Sequence, residues 1–447
     1  MQSPLLIKDV TLVTPTRNHD IHVLKNAHVS ISDGIILYAG QDLEAAKKVF
    51  NTDRSPSSTQ KDVQEYSGSN RILLPTFANG HSHIPMSLMK NTADDMSLED
   101  WLFNVILPRE EKLVRSDIYG ASLLGIAEMI NGGIGASADM YFMSEETARA
   151  ALDSGFRMNI CHDGKIFENE KWRTDPAGLS DFKKQYHLSG NGLLRVSMMV
   201  HSIYLYPEFL YGELSELARS EDVSILVHLA ETKTEVNNCY ARYKMSPAEA
   251  LEKFGIFDQP CIAAHGVHLS DRDREILFSH HVSVAHNPAS NLKLASGVCD
   301  VNSLLKKGVN VCIGTDGSAS NNGLDMYYEM KTASLIAKER YSDPEILKAG
   351  ETLYMATRAG YSAMGFPECG IIEPGMSADM QLVRCDNPSV WPVGDPVSAL
   401  VYGVPASAVE TVMIGGVFVK YRGELKTIDF EKVMAETKRS AERIIHG

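Results

Sequence analysis

The chain has 447 residues, 44% hydrophobic and 22% charged, which supplies a large core and excludes a disordered chain or a disulfide-stapled miniprotein. Its 43 Lys and Arg against 57 Asp and Glu give a formal charge of -14, which repels phosphate backbones and argues against nucleic acid or an anionic membrane as partner. The 7 cysteines are scattered without a CxxC pair, and no run approaches the ~20 apolar residues of a membrane span, so a reducing cytoplasm is the expected setting.

Taken in chain order, Leu5–Val13 and His22–Tyr38 are rich in β-branched residues and broken by turn signals at Pro15, Asn18 and Asp33-Gly34, which predicts short strands and hairpins. From Asp53 to Asn70 the composition turns to Ser, Gln and Asp, and a surface loop leading to a domain boundary is expected. Eight apolar runs then follow: Ile72–Phe77, Ile134–Asp139, Arg157–His162, Leu194–His201, Ser224–Ala230, Cys261–His265, Ser283–His286 and Val309–Thr315. Segments with helical periodicity separate them, among them Asp117–Ile130, Glu145–Asp153, Pro207–Ala218, Ala248–Phe254 and Asp271–Ser279. This β-then-α rhythm fits an α/β fold built on a (β/α)8 TIM-type barrel. An open doubly wound sheet has the same rhythm, and the placement of polar residues has to decide. After Glu373-Pro374-Gly375, strand-like pieces return at Ala378–Arg384, Ala408–Ile414 and Val417–Tyr421, ahead of a charged helical tail, Phe430–Ile445. The expected division is 1–70 as one part of a small β-sandwich, 71–372 as the barrel, and 373–447 as the rest of the sandwich with a terminal helix.

Nearly every predicted barrel strand ends in a polar or ionisable residue, and barrel enzymes keep their chemistry at the carboxyl ends of strands. The first runs into His81-Ser82-His83, the fourth ends at His201, the fifth carries His228 and is followed by Glu231, the sixth ends at His265, and the eighth delivers Asp316. His81 and His83 share strand parity, so both imidazoles can face one cation, and His228 with Asp316 completes a nitrogen and oxygen set suited to Zn²⁺ or Fe²⁺. Three histidines and a carboxylate leave a position for water, whose pKa such an ion lowers toward ~7. Glu231, three residues after His228, is suited to shuttle protons beside the ion; taken alone it would read as an exposed acid opening the helix at Thr232–Val236.

Several stretches carry a wider resemblance: Leu74-Pro75-Thr76-Phe77-Ala78-Asn79-Gly80-His81-Ser82-His83, Ala138-Asp139-Met140-Tyr141-Phe142, Val227-His228-Leu229-Ala230-Glu231-Thr232 and Ala264-His265-Gly266-Val267-His268-Leu269. Asp94-Asp95 through Trp101-Leu102, Ala285-His286-Asn287-Pro288-Ala289-Ser290-Asn291-Leu292-Lys293-Leu294, Gly314-Thr315-Asp316-Gly317-Ser318-Ala319-Ser320-Asn321-Asn322 and Glu373-Pro374-Gly375-Met376-Ser377-Ala378-Asp379 extend it over nearly the whole chain. The sequence resembles the amidohydrolase superfamily, and within it the branch that deaminates S-adenosylhomocysteine and 5′-methylthioadenosine. The resemblance implies one metal ion held by His81, His83, His228 and Asp316, zinc before iron, with His265 orienting the attacking water. It implies that Glu231 protonates ring N1 of an adenine, that Asp316 passes a proton to the departing amine, and that the products are an inosine-type nucleoside and ammonia. It further implies a nucleoside pocket with Trp101 as apolar wall, Glu110 accepting from ribose hydroxyls and His201 near the purine edge. A homo-oligomer is also implied.

One departure bears on substrate. Members that take S-adenosylhomocysteine hold its distal carboxylate with arginines, and here Asp163 stands where one is expected, which would repel that group. Arg173 is the candidate replacement. The expectation therefore favours 5′-methylthioadenosine, adenosine or 5′-deoxyadenosine over the homocysteine-bearing nucleoside. Gly133-Ile134-Gly135-Ala136-Ser137-Ala138 fits a dinucleotide fingerprint, but a helix precedes it and a strand follows, the reverse of what that motif needs. Two rival functions remain: hydrolysis of another amino- or chloro-substituted heterocycle such as a triazine, and a non-catalytic scaffold, which the filled ligand positions disfavour.

Overall fold

A computed structural model describes residues 4–52 and 63–446. Eight parallel strands pair in chain order: Phe77–Ser82, Ile134–Asp139, Arg157–His162, Leu194–Met199, Ser224–Leu229, Cys261–His265, Ser283–His286 and Val311–Ile313. Nearly every residue in them is buried, as expected of strands covered on one side by helices and on the other by the barrel interior. Seven coincide with predicted runs. The first does not: the apolar run expected at Ile72–Phe77 is split, with Arg71–Pro75 in a second sheet and Phe77–Ser82 in the barrel. The run's hydrophobicity serves two sheets at once, and the true barrel strand passes through Ala78-Asn79-Gly80, which has little strand propensity of its own. Gly80 is required by packing, since a Cβ there would lie 2.4 Å from Cys312 Sγ on the eighth strand.

The barrel closes between its first and last strands largely through side chains. The Thr315 N–H donates to Asn79 Oδ1 (2.9 Å), Asn79 Nδ2 donates to Thr315 Oγ1 (2.8 Å), and the Asp316 N–H donates to the His81 carbonyl (3.0 Å). This seam sets His81 and Asp316 side by side.

The terminal segments meet in a single nine-stranded sheet. Leu5–Pro15, Ile21–Ser32 and Ile35–Gly40 come from one end, and Met380–Arg384, Val409–Ile414, Val417–Tyr421 and Glu424–Leu425 from the other, with Arg71–Pro75 between them. The ninth strand corrects the loop expected over Asp53–Asn70: Gln64–Ser67 pairs in parallel with Leu5–Lys8. Only Tyr66 of this edge strand is buried, which explains why it shows no apolar signature. Residues 53–62 of that expected loop lie outside the described residues.

A buried ion pair ties sheet to barrel: Arg157 Nε donates to Asp379 Oδ1 (2.7 Å), and a second guanidinium nitrogen reaches Asp379 Oδ2 (3.0 Å) and Ser377 Oγ (2.9 Å). The terminal helix Phe430–His446 packs on the barrel helix Arg115–Asn131, with Arg443 on Asp117. All seven cysteines are free and buried, and no helix among the described residues is long and apolar enough to cross a membrane.

Candidate active site

The carboxyl ends of the barrel strands bring His81, His83, His228, His265 and Asp316 together. His83 Nε2 lies 3.2 Å and His81 Nε2 3.4 Å from the same oxygen, Asp316 Oδ1, while His228 Nε2 is 3.3 Å from His83 Nε2. The ligand atoms of His81, His83 and His228, and those of His81, His265 and Asp316, fall within 4.8 Å of one another.

Neighbouring groups settle which ring nitrogens carry hydrogen. His83 Nδ1 is 2.5 Å from the Met140 carbonyl and His228 Nδ1 is 2.8 Å from the His201 carbonyl. A carbonyl only accepts, so both Nδ1 atoms donate, and in the neutral rings both Nε2 atoms carry lone pairs. Those lone pairs face each other at 3.3 Å, and His81 Nε2 is buried with no hydrogen-bond partner among the described residues. Such a cluster is repulsive unless a positive charge sits within it, so the donor set fits a divalent cation with nitrogen and oxygen ligands.

The second carboxylate oxygen of Asp316 is fixed by two hydroxyls, Ser290 Oγ at 2.6 Å and Ser320 Oγ at 3.0 Å. Burial resists ionisation of Asp316, but His81 and His83 hold its carboxyl well below the usual range. Burial lowers His81 to about 4 against the pull of Asp316, and drives His228 well below its ordinary value with help from the flanking imidazoles. His83 also pays for burial, yet Asp316 and the Met140 carbonyl lift it to about 9. The extra proton can sit only on Nε2, against Asp316 Oδ1, where it competes with a cation for the same lone pair.

Glu231 and His265 stand beside this cluster. His265 Nδ1 contacts Asn291 Oδ1 (2.8 Å), leaving Nε2 facing Glu231 Oε2 at 3.8 Å, and Ser296 Oγ reaches the other Glu231 oxygen at 3.4 Å. Burial pushes the Glu231 carboxyl up from its ordinary range, with His265 pulling the other way. Three of the turns involved hold non-glycine residues with positive φ, Ala230 (48°), His265 (75°) and Asp316 (60°), a conformation that L residues keep only where the surroundings hold it.

A cavity of about 160 Å³ opens onto the cluster. Trp101, Glu110 and His201 all line it, as do Tyr141, Met199 and Leu294. Trp101 sits on a wide π-type helical stretch, Asp100–Ile106, and its indole N–H donates to the Ala319 carbonyl (3.3 Å). Burial raises the Glu110 carboxyl above its ordinary value, with Tyr141 and His83 pulling the other way. Arg173 is not brought in: it lies exposed on the hairpin of Lys165–Glu168 and Lys171–Thr174, paired with Glu168. Asp163 lacks the repulsive character expected of it, because the buried Lys165 ammonium lies 3.2 Å from its Oδ1 and offsets its charge.

The supporting residues Ser290, Ser296, Ser320, Asn291 and Glu235 were not legible as site residues. Ser290, Asn291 and Ser320 sit inside stretches that carried the family resemblance, whereas Glu235 reads in sequence as an ordinary helix cap.

A model of the amidohydrolase family matches residues 72–419. The chain is 43% identical over 442 residues to a 5-methylthioadenosine/S-adenosylhomocysteine deaminase of Acetivibrio thermocellus, covering 99% of each. It is 40% identical over 378 residues to a protein of the same name from Dictyoglomus thermophilum, covering 85% of this chain and 88% of that one. Among solved structures, a zinc-bound adenosine deaminase from Xanthomonas campestris superposes with a TM-score of 0.90 at 30% identity, covering 98% of both chains. A zinc-bound atrazine chlorohydrolase from Arthrobacter aurescens has a TM-score of 0.85 at 24% identity, covering 98% of this chain and 100% of that one, a likeness of fold alone. A family model spanning most of the sequence, relatives alike from end to end and the imidazole–carboxylate cluster at the barrel mouth agree: the chain belongs to the amidohydrolase family.

Proposed function

We propose that this protein is a metal-dependent aminohydrolase that converts a 5′-substituted adenosine, or adenosine itself, to the inosine analogue and ammonia. The observation that carries the proposal is the set of tautomer-locked imidazole lone pairs and one carboxylate oxygen converging at the floor of an apolar-walled cavity. His81, His83, His228 and Asp316 would hold one divalent cation, zinc before iron(II). When bound, the ion supplies an activated water at neutral pH.

The chain's own residues account for the rest. Glu231, buried and raised in pKa, would deliver a proton to purine N1, which drains electron density from C6 and opens that carbon to attack. His265, its Nδ1 fixed by Asn291, would orient the attacking water through Nε2. The amine leaves only after gaining a proton, and Asp316 is suited to relay it: Oδ2 is held by two serines while Oδ1 faces the cluster. Trp101 and Tyr141 offer walls to the nucleoside, Glu110 an acceptor for vicinal ribose hydroxyls, and His201 a polar edge for the purine.

The relatives named above are called deaminases of 5-methylthioadenosine and S-adenosylhomocysteine. With Asp163 offset by Lys165, charge no longer argues against the homocysteine-bearing nucleoside, and both belong in the proposed substrate class. A homo-oligomer in the cytoplasm, divided near residues 70 and 372, completes the proposal, and the native mass tests its assembly. The deciding experiment is an ammonia-release screen over adenosine, 5′-methylthioadenosine, 5′-deoxyadenosine, S-adenosylhomocysteine, guanine, cytosine and chlorotriazines, with metal content measured on the same sample. Release from adenosine-type substrates at one metal per chain is expected; release only from another heterocycle, or a folded inactive protein without metal, overturns the proposal.

A further inference from the structure

The turn that carries Glu231 is held in an unusual way. Thr232 and Glu235 have the spacing of a capping box, in which the hydroxyl takes the N–H three residues on and the Glu turns back to the N–H of the capping residue. Half of that box is present: Thr232 Oγ1 accepts the Glu235 N–H at 3.0 Å. The Glu235 carboxylate instead reaches further upstream. Oε1 accepts the Ala230 N–H at 2.9 Å and Oε2 the Glu231 N–H at 2.7 Å.

Both oxygens of one buried carboxylate are therefore committed to two successive peptide groups. The first of these belongs to Ala230, whose φ of 48° needs outside support. The same turn is held from its other side, because the Leu229 carbonyl accepts the Gly266 N–H (3.0 Å) and the Ala230 carbonyl accepts the His268 N–H (2.9 Å). Gly266 follows His265 directly. The backbones bearing Glu231 and His265 are thus locked to each other, with Glu235 closing the remaining open side of the first.

We infer that Glu235 is a positioning residue: its carboxylate clamps the Ala230–Glu231 backbone so that the Glu231 side chain stays beside His265 over the cavity. The inference rests on the proposed role of Glu231 in moving a proton. Glu235 would touch neither substrate nor cation, and its effect would pass through Glu231 alone. An angstrom of drift in a proton carrier is enough to cost about a hundredfold in rate.

The test uses the full-length, metal-loaded protein with Glu235→Gln, Glu231→Gln and the double variant, assayed with 5′-methylthioadenosine and adenosine. Gln at 235 keeps the size but turns an amide NH2 toward one of the two N–H donors. The expected result is a fall in kcat of about ten- to a hundredfold, with KM within about threefold of wild type and metal content unchanged. In the Glu231→Gln background the same change should slow turnover by no more than about threefold, because its target is already disabled. Losses that multiply in the double variant, unchanged kcat in the single one, or metal lost in step with activity each overturn the inference. Should Glu235→Gln not fold, hydrogen exchange on the wild-type protein decides: the Ala230 and Glu231 amides should be strongly protected, and exchange as fast as an exposed loop overturns the clamp. A wild type that releases no ammonia counts against the proposed function, whereas the clamp fails with the wild type active or with its amides unprotected.

Discussion

Glu231→Gln separates proton transfer from metal binding. The substitution nearly preserves volume and removes the ionisable group, and with it the ability to take up and return a proton. Glu231 belongs to neither group of ligand atoms that converge at the barrel mouth, so the variant should bind metal at the wild-type ratio. Its turnover should fall by two to four orders of magnitude, the usual weight of general acid–base catalysis, or about 3–5 kcal/mol of transition-state stabilisation. Stability should move the other way. Burial raises this carboxyl in the folded protein above its ordinary 4.5. A carboxyl raised on folding adds stability below its unfolded pKa, and that contribution is lost as pH rises through the folded value. At neutral pH burial of this carboxyl therefore costs the metal-free fold stability, and Gln, which never ionises, escapes that cost. Steady-state ammonia release, metal analysis and melting of the metal-free forms test both halves. Turnover within tenfold of wild type would refute the proton-carrier role, and a metal-free variant melting several degrees below wild type would refute the burial argument.

Four further outcomes follow from the structure. Exhaustive chelation should abolish ammonia release and lower the melting temperature, with zinc restoring both; activity that survives verified metal removal refutes the metal centre. Glu110→Gln should raise KM for adenosine more than for 2′-deoxyadenosine, because only the former offers two vicinal hydroxyls to the carboxylate; equal changes remove Glu110 from the ribose. Burial lowers Lys420 to about 8 from 10.5, while its ammonium serves the Asn131 and Val409 carbonyls. Between those values the unfolded chain binds the extra proton, so stability contributed at this site rises with pH, and the difference curve between wild type and Lys420→Met should show that slope; a flat difference refutes it. Arg157→Met should cost about 3–5 kcal/mol by stranding Asp379, which is fully buried beneath it, and replacing both by apolar residues should recover much of the loss in urea titrations.

The barrel was legible because parallel strands buried on both faces leave unbroken apolar runs, and because helices such as Asp271–Ser279 carry clear helical periods. Legibility failed where one run served two sheets, as at Ile72–Phe77, and where a strand was an exposed edge, as at Gln64–Ser67. The residues that converge at the barrel mouth were legible because His and Asp at the ends of predicted strands have few other reasons to be there. Arg173 and Asp163 misled because a charge read from sequence says nothing of its neighbour: Glu168 takes one and Lys165 the other. Glu235 was hidden by a spacing that ordinarily means a surface cap, and only its reach in space distinguishes it.

The junction of Asn79 with Thr315 joins positions 236 apart in the chain. A ribosome delivers His81 and His83 long before Asp316, so a nascent chain short of the eighth strand lacks part of the candidate site. Closing the cylinder brings the two parts of the candidate metal site together, and an ion bound there would fasten the earliest and latest portions of the barrel to each other.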